Sequence, residues 1–109
     1  MSTPFNITIG GRQYKALPPS FAFQKAHREQ VRKLEAGEMK ESDFQDYMAE
    51  VIVHCVQRAA PDVPASEIEE RLDIVDITRI SAEIGLQTRT QIAAAMGVDS
   101  LGEAKAGAV

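Results

Sequence analysis

Three side chains in this 109-residue sequence have the chemistry of soft or imidazole ligands: His27, His54 and Cys55. A closed zinc site takes four ligands, usually Cys/His pairs at short spacing. Adjacent His54 and Cys55 on one helix diverge by about 100°, so a carboxylate would have to complete any site. The plainer assignment is a core thiol at Cys55 and a His27 at the edge of an apolar face, bonded to a backbone carbonyl or water. Nucleophilic catalysis needs a Cys or Ser activated by a positioned His. Cys55 falls in the middle of an apolar stripe, where burial raises a thiol's pKa and leaves it inert. The carboxylate pairs Glu69/Asp73 and Asp73/Asp76 have helical i, i+4 and i, i+3 spacing near helix starts, where they favour the helix dipole. Phosphate-loop, dinucleotide, H-E-x-x-H and C-x-x-C signatures are absent. The expectation is a non-enzymatic protein with no catalytic residues, no metal and no cofactor.

A different chemistry is suggested by Thr90-Gln-Ile-Ala-Ala-Ala-Met-Gly-Val98. Ile-Ala-x-x-x-Gly-Val reads like the first helix and turn of a helix-turn-helix unit. A recognition helix should come next, with Arg, Lys, Asn or Gln aimed at base edges. Residues 99–109 instead hold two glycines, two acids and one lysine. A capped helix end accounts for the segment more simply. A small regulatory protein with a DNA-binding C-terminal element is the alternative function.

The elements that must position these groups follow from periodicity. Phe5-Asn-Ile-Thr-Ile9 alternates apolar and polar residues, Gly10-Gly11 comes next, and Arg12–Ala16 returns, the pattern of a β-hairpin. Phe5, Ile7 and Ile9 share one face with Tyr14 and Ala16. A lone hairpin is marginal in water, so this face must meet helices or another subunit. Ser20 is placed to cap a helix of about residues 21–36, with Phe23, Ala26, His27, Gln30, Val31 and Leu34 on one side and Gly37 at its end. Ser42 and Gln45 form a capping-box pattern for a second helix reaching about Ala60. Its stripe is Phe44, Tyr47, Met48, Val51, Ile52, Cys55 and Ala59, with Val56 at the margin and Val53 pointing away. Ser66 with Glu69 opens a short third helix, with Ile68 and Leu72 inward. Asp76 is placed to cap a fourth from Ile77 to about Met96, carrying Ile77, Ile80, Ile84, Ile92 and Ala95, with a break expected near Gly85. The fold class is mainly α (α+β): a short N-terminal β-hairpin followed by three to four helices packed as a small bundle. Residues 1–96 form one domain, and 97–109 a flexible C-terminal tail.

Bulk properties narrow the partners. Hydrophobic residues make up 44% of the chain and charged residues 26%, a globular balance. Trp is absent beside four Phe and two Tyr, so aliphatic side chains must fill most of the core. The net charge of −4 argues against nucleic acid. The charge is uneven: residues 11–40 carry seven Lys/Arg against three Asp/Glu, and residues 61–85 carry seven Asp/Glu against two Lys/Arg. Such asymmetry can drive head-to-tail self-association, or can simply solvate each helix. No apolar run reaches the ~20 residues that span a bilayer. The N-terminus has no signal-peptide pattern, and a single Cys fits a reducing compartment. No membrane and a cytoplasmic location are therefore expected. The apolar residues Ile7, Ile9, Tyr14, Ile74, Val75, Ile77, Ile80 and Ile84 are the candidate partner-binding positions, on the hairpin edge and along the Ile74–Ile84 region.

The order of features also carries a resemblance. Phe-x-Ile-x-Ile-Gly-Gly-x-x-Tyr is followed by Leu17-Pro18 and a helix, then Leu34-Glu-Ala-Gly-Glu38. A long helix ended by a Pro-rich loop comes next, then Ile68-Glu-Glu-Arg-Leu-Asp-Ile-Val-Asp-Ile77 and a last helix. This layout, over residues 5–96, resembles the tail assembly chaperones of long-tailed bacteriophages and prophages. The resemblance implies a non-enzymatic protein of the bacterial host cytoplasm that coats the tape-measure protein, recruits the tail-tube protein and self-associates. It implies no catalytic residue and no fixed contact motif.

Overall fold

The computed structural model describes residues 2–97. Two strands and five helical segments follow one another: β1 (Phe5–Ile9), β2 (Arg12–Ala16), α1 (Phe21–Ala26), α2 (Arg28–Glu35), α3 (Glu41–Ala59), α4 (Ala65–Arg71) and α5 (Ile74–Ala95). The chain is mainly α with an N-terminal hairpin. Residues 98–109, which hold most of the expected tail, lie outside the described residues.

β1 and β2 pair antiparallel with Ile9 opposite Arg12, Ile7 opposite Tyr14 and Phe5 opposite Ala16. Gly10 and Gly11 have φ of 56° and 80°, the two positive values a two-residue hairpin turn of the primed type requires. Gly10 is needed for a second reason: a Cβ there would stand 3.0 Å from both the Cβ and the carbonyl oxygen of Arg71, at the end of α4. The apolar face of the hairpin lies on α3 and α5. The Leu17 N–H donates to the Cys55 carbonyl at 3.0 Å. Gln91 clasps the backbone of Thr3 through both of its amide atoms at 2.7 Å, and Arg79 donates to the Thr8 carbonyl at 2.8 Å. α5 is thereby tied to the hairpin strand near both of its ends.

Several local expectations are corrected. The first helix is split at His27 (φ −113°, ψ 22°) into α1 and α2. α3 starts at Glu41 from an uncapped Lys40, so Ser42 lies inside the first turn. α4 starts at Ala65 after Pro64, whose ring holds φ at −69° and supplies the extended entry that Ser66 was expected to provide. α5 starts at Ile74, three residues early, because the Asp73 carboxylate accepts the Asp76 N–H at 2.7 Å. Asp76 then sits in the first turn and pairs with Arg79 at 2.9 Å. The helix runs unbroken through Gly85. A helical glycine costs about 1 kcal/mol, less than the burial of Ile80, Ile84 and Ala93 on the same helix returns. Ser20 caps α1 as expected, accepting the Phe23 N–H at 3.1 Å.

The core joins Phe5, Ile7, Ile9, Tyr14 and Ala16 of the hairpin to Ile52, Cys55 and Val56 of α3, Ile68 of α4, and Ile80 and Ile84 of α5. Val56 is fully buried rather than marginal, and Val53 packs against the cluster rather than pointing away. The hairpin and α4 cover α3 on more sides than a single stripe anticipates.

Candidate functional site

The chemically distinctive side chains meet where the α1–α2 arm touches α3. The arm leaves β2 through Pro18-Pro19 and buries no residue completely. Phe23 is its anchor. The rings of His27 and His54 both stack on it with centroids 4.1 Å away, at interplanar angles of 23° and 16°. Two rings at that distance occupy opposite faces, so Phe23 is sandwiched. The His54 Nε2 accepts the Ser20 N–H at 3.1 Å, and an Arg58 guanidinium nitrogen donates to the Pro18 carbonyl.

The two histidines are used differently. The His27 Nδ1 faces the Phe23 carbonyl at 2.8 Å and its Nε2 faces the Glu50 carboxylate at 3.1 Å. Both partners are acceptors, so whichever ring nitrogen carries hydrogen donates to the one it faces. His54, accepting through Nε2, must be neutral there. Burial, then Arg58 and His27, lower its pKa from the ordinary 6.5. These contacts explain the break at residue 27: the ring reaches back to its own turn and across to α3 at once.

Cys55 takes no part in this cluster. Its side chain is fully buried in the core, and burial pushes its thiol up to about 12. His27, His54 and Cys55 are therefore not convergent. Among the described residues no group of three or more His, Cys, Asp or Glu is arranged to hold a metal ion. Asp73 and Asp76 are engaged in capping and the Arg79 ion pair. Thr90–Ala95 form the last turns of α5, and Gly97 closes the helix with φ 84°. The segment that would have to supply a recognition helix for the alternative function lies outside the described residues.

Five of the eight candidate partner-binding residues belong to the core. Ile7, Ile9, Tyr14, Ile80 and Ile84 are at most 5% exposed, because the alternating face of the hairpin and the stripe of α5 cover each other within one chain. The assignment of these five to a binding surface is corrected on that ground. Ile77 is partly buried against the same core. Ile74 and Val75, at 62% and 76%, are open to solvent. The outward carbonyl of Thr8 on the hairpin edge is taken by Arg79.

Two apolar surfaces lie largely outside the expected partner-binding positions. One is a shelf where Pro18, Pro19 and Phe21 face Ile92 and Ala95 of α5. Phe21 is 70% and Ile92 52% exposed, and Met96, one helical turn beyond Ile92, is 73% exposed. The other is an open groove of about 320 Å³ between the arm and the α3–α5 pair, with Val31 and Leu34 on one wall and Met48, Val51 and Ile84 on the other. Arg89 is the one charged residue in its lining. The Ser81 Oγ, also in the lining, is buried with no hydrogen-bond partner among the described residues. The amphipathic pattern of residues 23–34 could have flagged this groove, because its apolar face had no assigned partner.

No family model, curated protein or solved structure matches the chain. Among the described residues no helix is long and apolar enough to cross a membrane.

Proposed function

We propose that this chain is a non-enzymatic tail assembly chaperone of a long-tailed phage or prophage, acting in the bacterial host cytoplasm on the tape-measure protein and the tail-tube protein. One observation carries the reading: large apolar side chains stand uncovered on an otherwise folded domain, while the histidines and the thiol are committed to packing and internal hydrogen bonds. The resemblance in element order supports the same assignment. The shelf around Phe21, Ile92 and Met96 has the character of a surface for an amphipathic helix, whose apolar residues at i, i+3 and i+4 would lie along it. Many copies along one long client would add weak contacts into avidity.

Co-expression of the tagged chain with the tape-measure and tail-tube proteins encoded beside it is the test. Capture of a soluble complex with either, weakened by Phe21→Asp and Ile92→Asp, is the expected result. Failure to capture either protein overturns the proposal.

A further inference from the structure

Gly85 and Arg89 stand one helical turn apart on α5, both in the lining of the groove between the arm and the α3–α5 pair. Glycine is unfavourable inside a helix, and the backbone at Gly85 does not call for one, because its φ is not positive. Packing does not call for one either. A Cβ there would meet only a guanidinium nitrogen of Arg89, at 3.5 Å, an ordinary van der Waals contact. The missing side chain leaves the groove deep at this point and lets the Arg89 guanidinium lie down along its wall. Arg89 is the one charged residue in that lining, and it makes no ion pair among the described residues. The facing walls are apolar and narrow. Val31 and Leu34 on α2, and Met48 and Val51 on α3, are pairs at i, i+3, so each wall is one helical turn of side chains. The volume of about 320 Å³ is at the small end for a ligand pocket.

We propose that this groove binds a free medium-chain carboxylate, with the head group on Arg89 and the unbranched tail between the Val31–Leu34 and Met48–Val51 walls. The head group follows from the donor. A guanidinium presents its N–H groups as a planar fork that matches one carboxylate. One guanidinium also neutralises one negative charge, so a doubly charged phosphate head would keep an uncompensated charge beside apolar walls. The tail follows from the walls. A straight aliphatic chain takes apolar surface out of water on both sides of a slot, and the flexible Met48 thioether adapts to it. The small volume selects a medium chain over a long one. The groove is open, so binding is weak and exchange is fast. The inference goes beyond the chaperone reading and does not depend on it, since Phe21, Ile92 and Met96 are not in the lining.

The experiment titrates the full chain with octanoate and follows the methionine methyl resonances by NMR. The Met48 methyl should move to saturation, and that of Met39, outside the groove, should stay in place. Octanol has the same tail without the charge and should bind about tenfold more weakly, the worth of one charge-assisted hydrogen bond. Hexanoate should weaken by roughly fourfold for each methylene lost from the slot. Arg89→Gln changes an exposed residue and should bring octanoate down to the level of octanol. Gly85→Leu fills the slot from a position with room for a side chain and should abolish binding of both, with circular dichroism like wild type. Saturation in this order supports the site. A Met48 methyl that does not move, octanol binding as tightly as octanoate, or an Arg89→Gln variant that binds octanoate like wild type each overturns it. None of these readouts involves the tail proteins, so failure here leaves the chaperone reading standing, and failure of capture leaves this site to be decided by the titration.

Discussion

His27 and His54 stack on opposite faces of Phe23, and their ring nitrogens face opposite kinds of partner. His27 points both ring nitrogens at acceptors, whereas His54 uses Nε2 as an acceptor for the Ser20 N–H. One aromatic ring thus joins the N-cap of α1, the break between α1 and α2, and the middle of α3. The arm has no other deep anchor, so its position over the groove depends on this stack.

The arrangement makes stability depend on pH. Protonating His54 at Nε2 removes the acceptor for Ser20 and places a cation near Arg58 and His27. Its folded pKa is lowered, so as pH falls through about 6.5 the unfolded chain takes up the proton first. The unfolded state then binds more protons, and stability declines with falling pH until the folded-state pKa is passed. Urea midpoints measured from pH 7.5 to 5 should fall more steeply for wild type than for His54→Gln, which keeps a neutral acceptor. Parallel pH slopes would remove His54 from this role.

Cys55 should behave as a core residue and not as a reagent. It is fully buried, and its thiol is raised to about 12, so almost none is thiolate at pH 8 and none is accessible. Labelling by a thiol-selective disulfide reagent should be slow in native buffer and fast in denaturant. The native rate should track the population of the open form. Rapid stoichiometric labelling of the folded chain would contradict the burial.

The hairpin was legible because its signal is local: period-two alternation around Gly10-Gly11 fixes strands, turn and register together. The long stripe of α3 was legible for the same reason. Helix starts were less so. Ser42, Ser66 and Asp76 all fit capping patterns, but a cap contributes only about 1 kcal/mol, and each helix starts upstream of them, from Lys40, Pro64 and Asp73. The candidate site was the least legible part. Sequence assigns an apolar residue to a face, not that face to a partner, so Ile80 and Ile84 read like a surface while Leu34 and Ile92 read like core. The split at His27 was invisible because it depends on Glu50, in another helix.

The cap assignments can be checked directly. Of the three candidates Ser42, Ser66 and Asp76 none closes a capping bond, whereas the side chain of Asp73 does so at the start of α5. Asp73→Ala should cost about 1 kcal/mol. Ser42→Ala and Ser66→Ala, inside first turns, should each stay within about 0.5 kcal/mol of wild type. Chemical denaturation of the three variants measures this. A larger loss at Ser42 or Ser66 than at Asp73 would restore the starts expected from the sequence.

The division between core and surface along α5 gives the sharpest stability contrast. Ile80 is fully buried against the hairpin and α3, whereas Val75, five residues earlier on the same helix, is 76% exposed. Truncating Ile80 removes buried methylenes and leaves a cavity, so Ile80→Ala should cost roughly 2–5 kcal/mol. Val75→Ala gives up little buried area in the monomer and should change stability by less than about 0.5 kcal/mol. Measured in dilute solution, where copies are apart, the pair separates a residue that holds the fold from one left free for another molecule. A Val75→Ala loss as large as that of Ile80→Ala would mean the corner is packed within its own chain, and neither Ile74 nor Val75 would then be available to a partner.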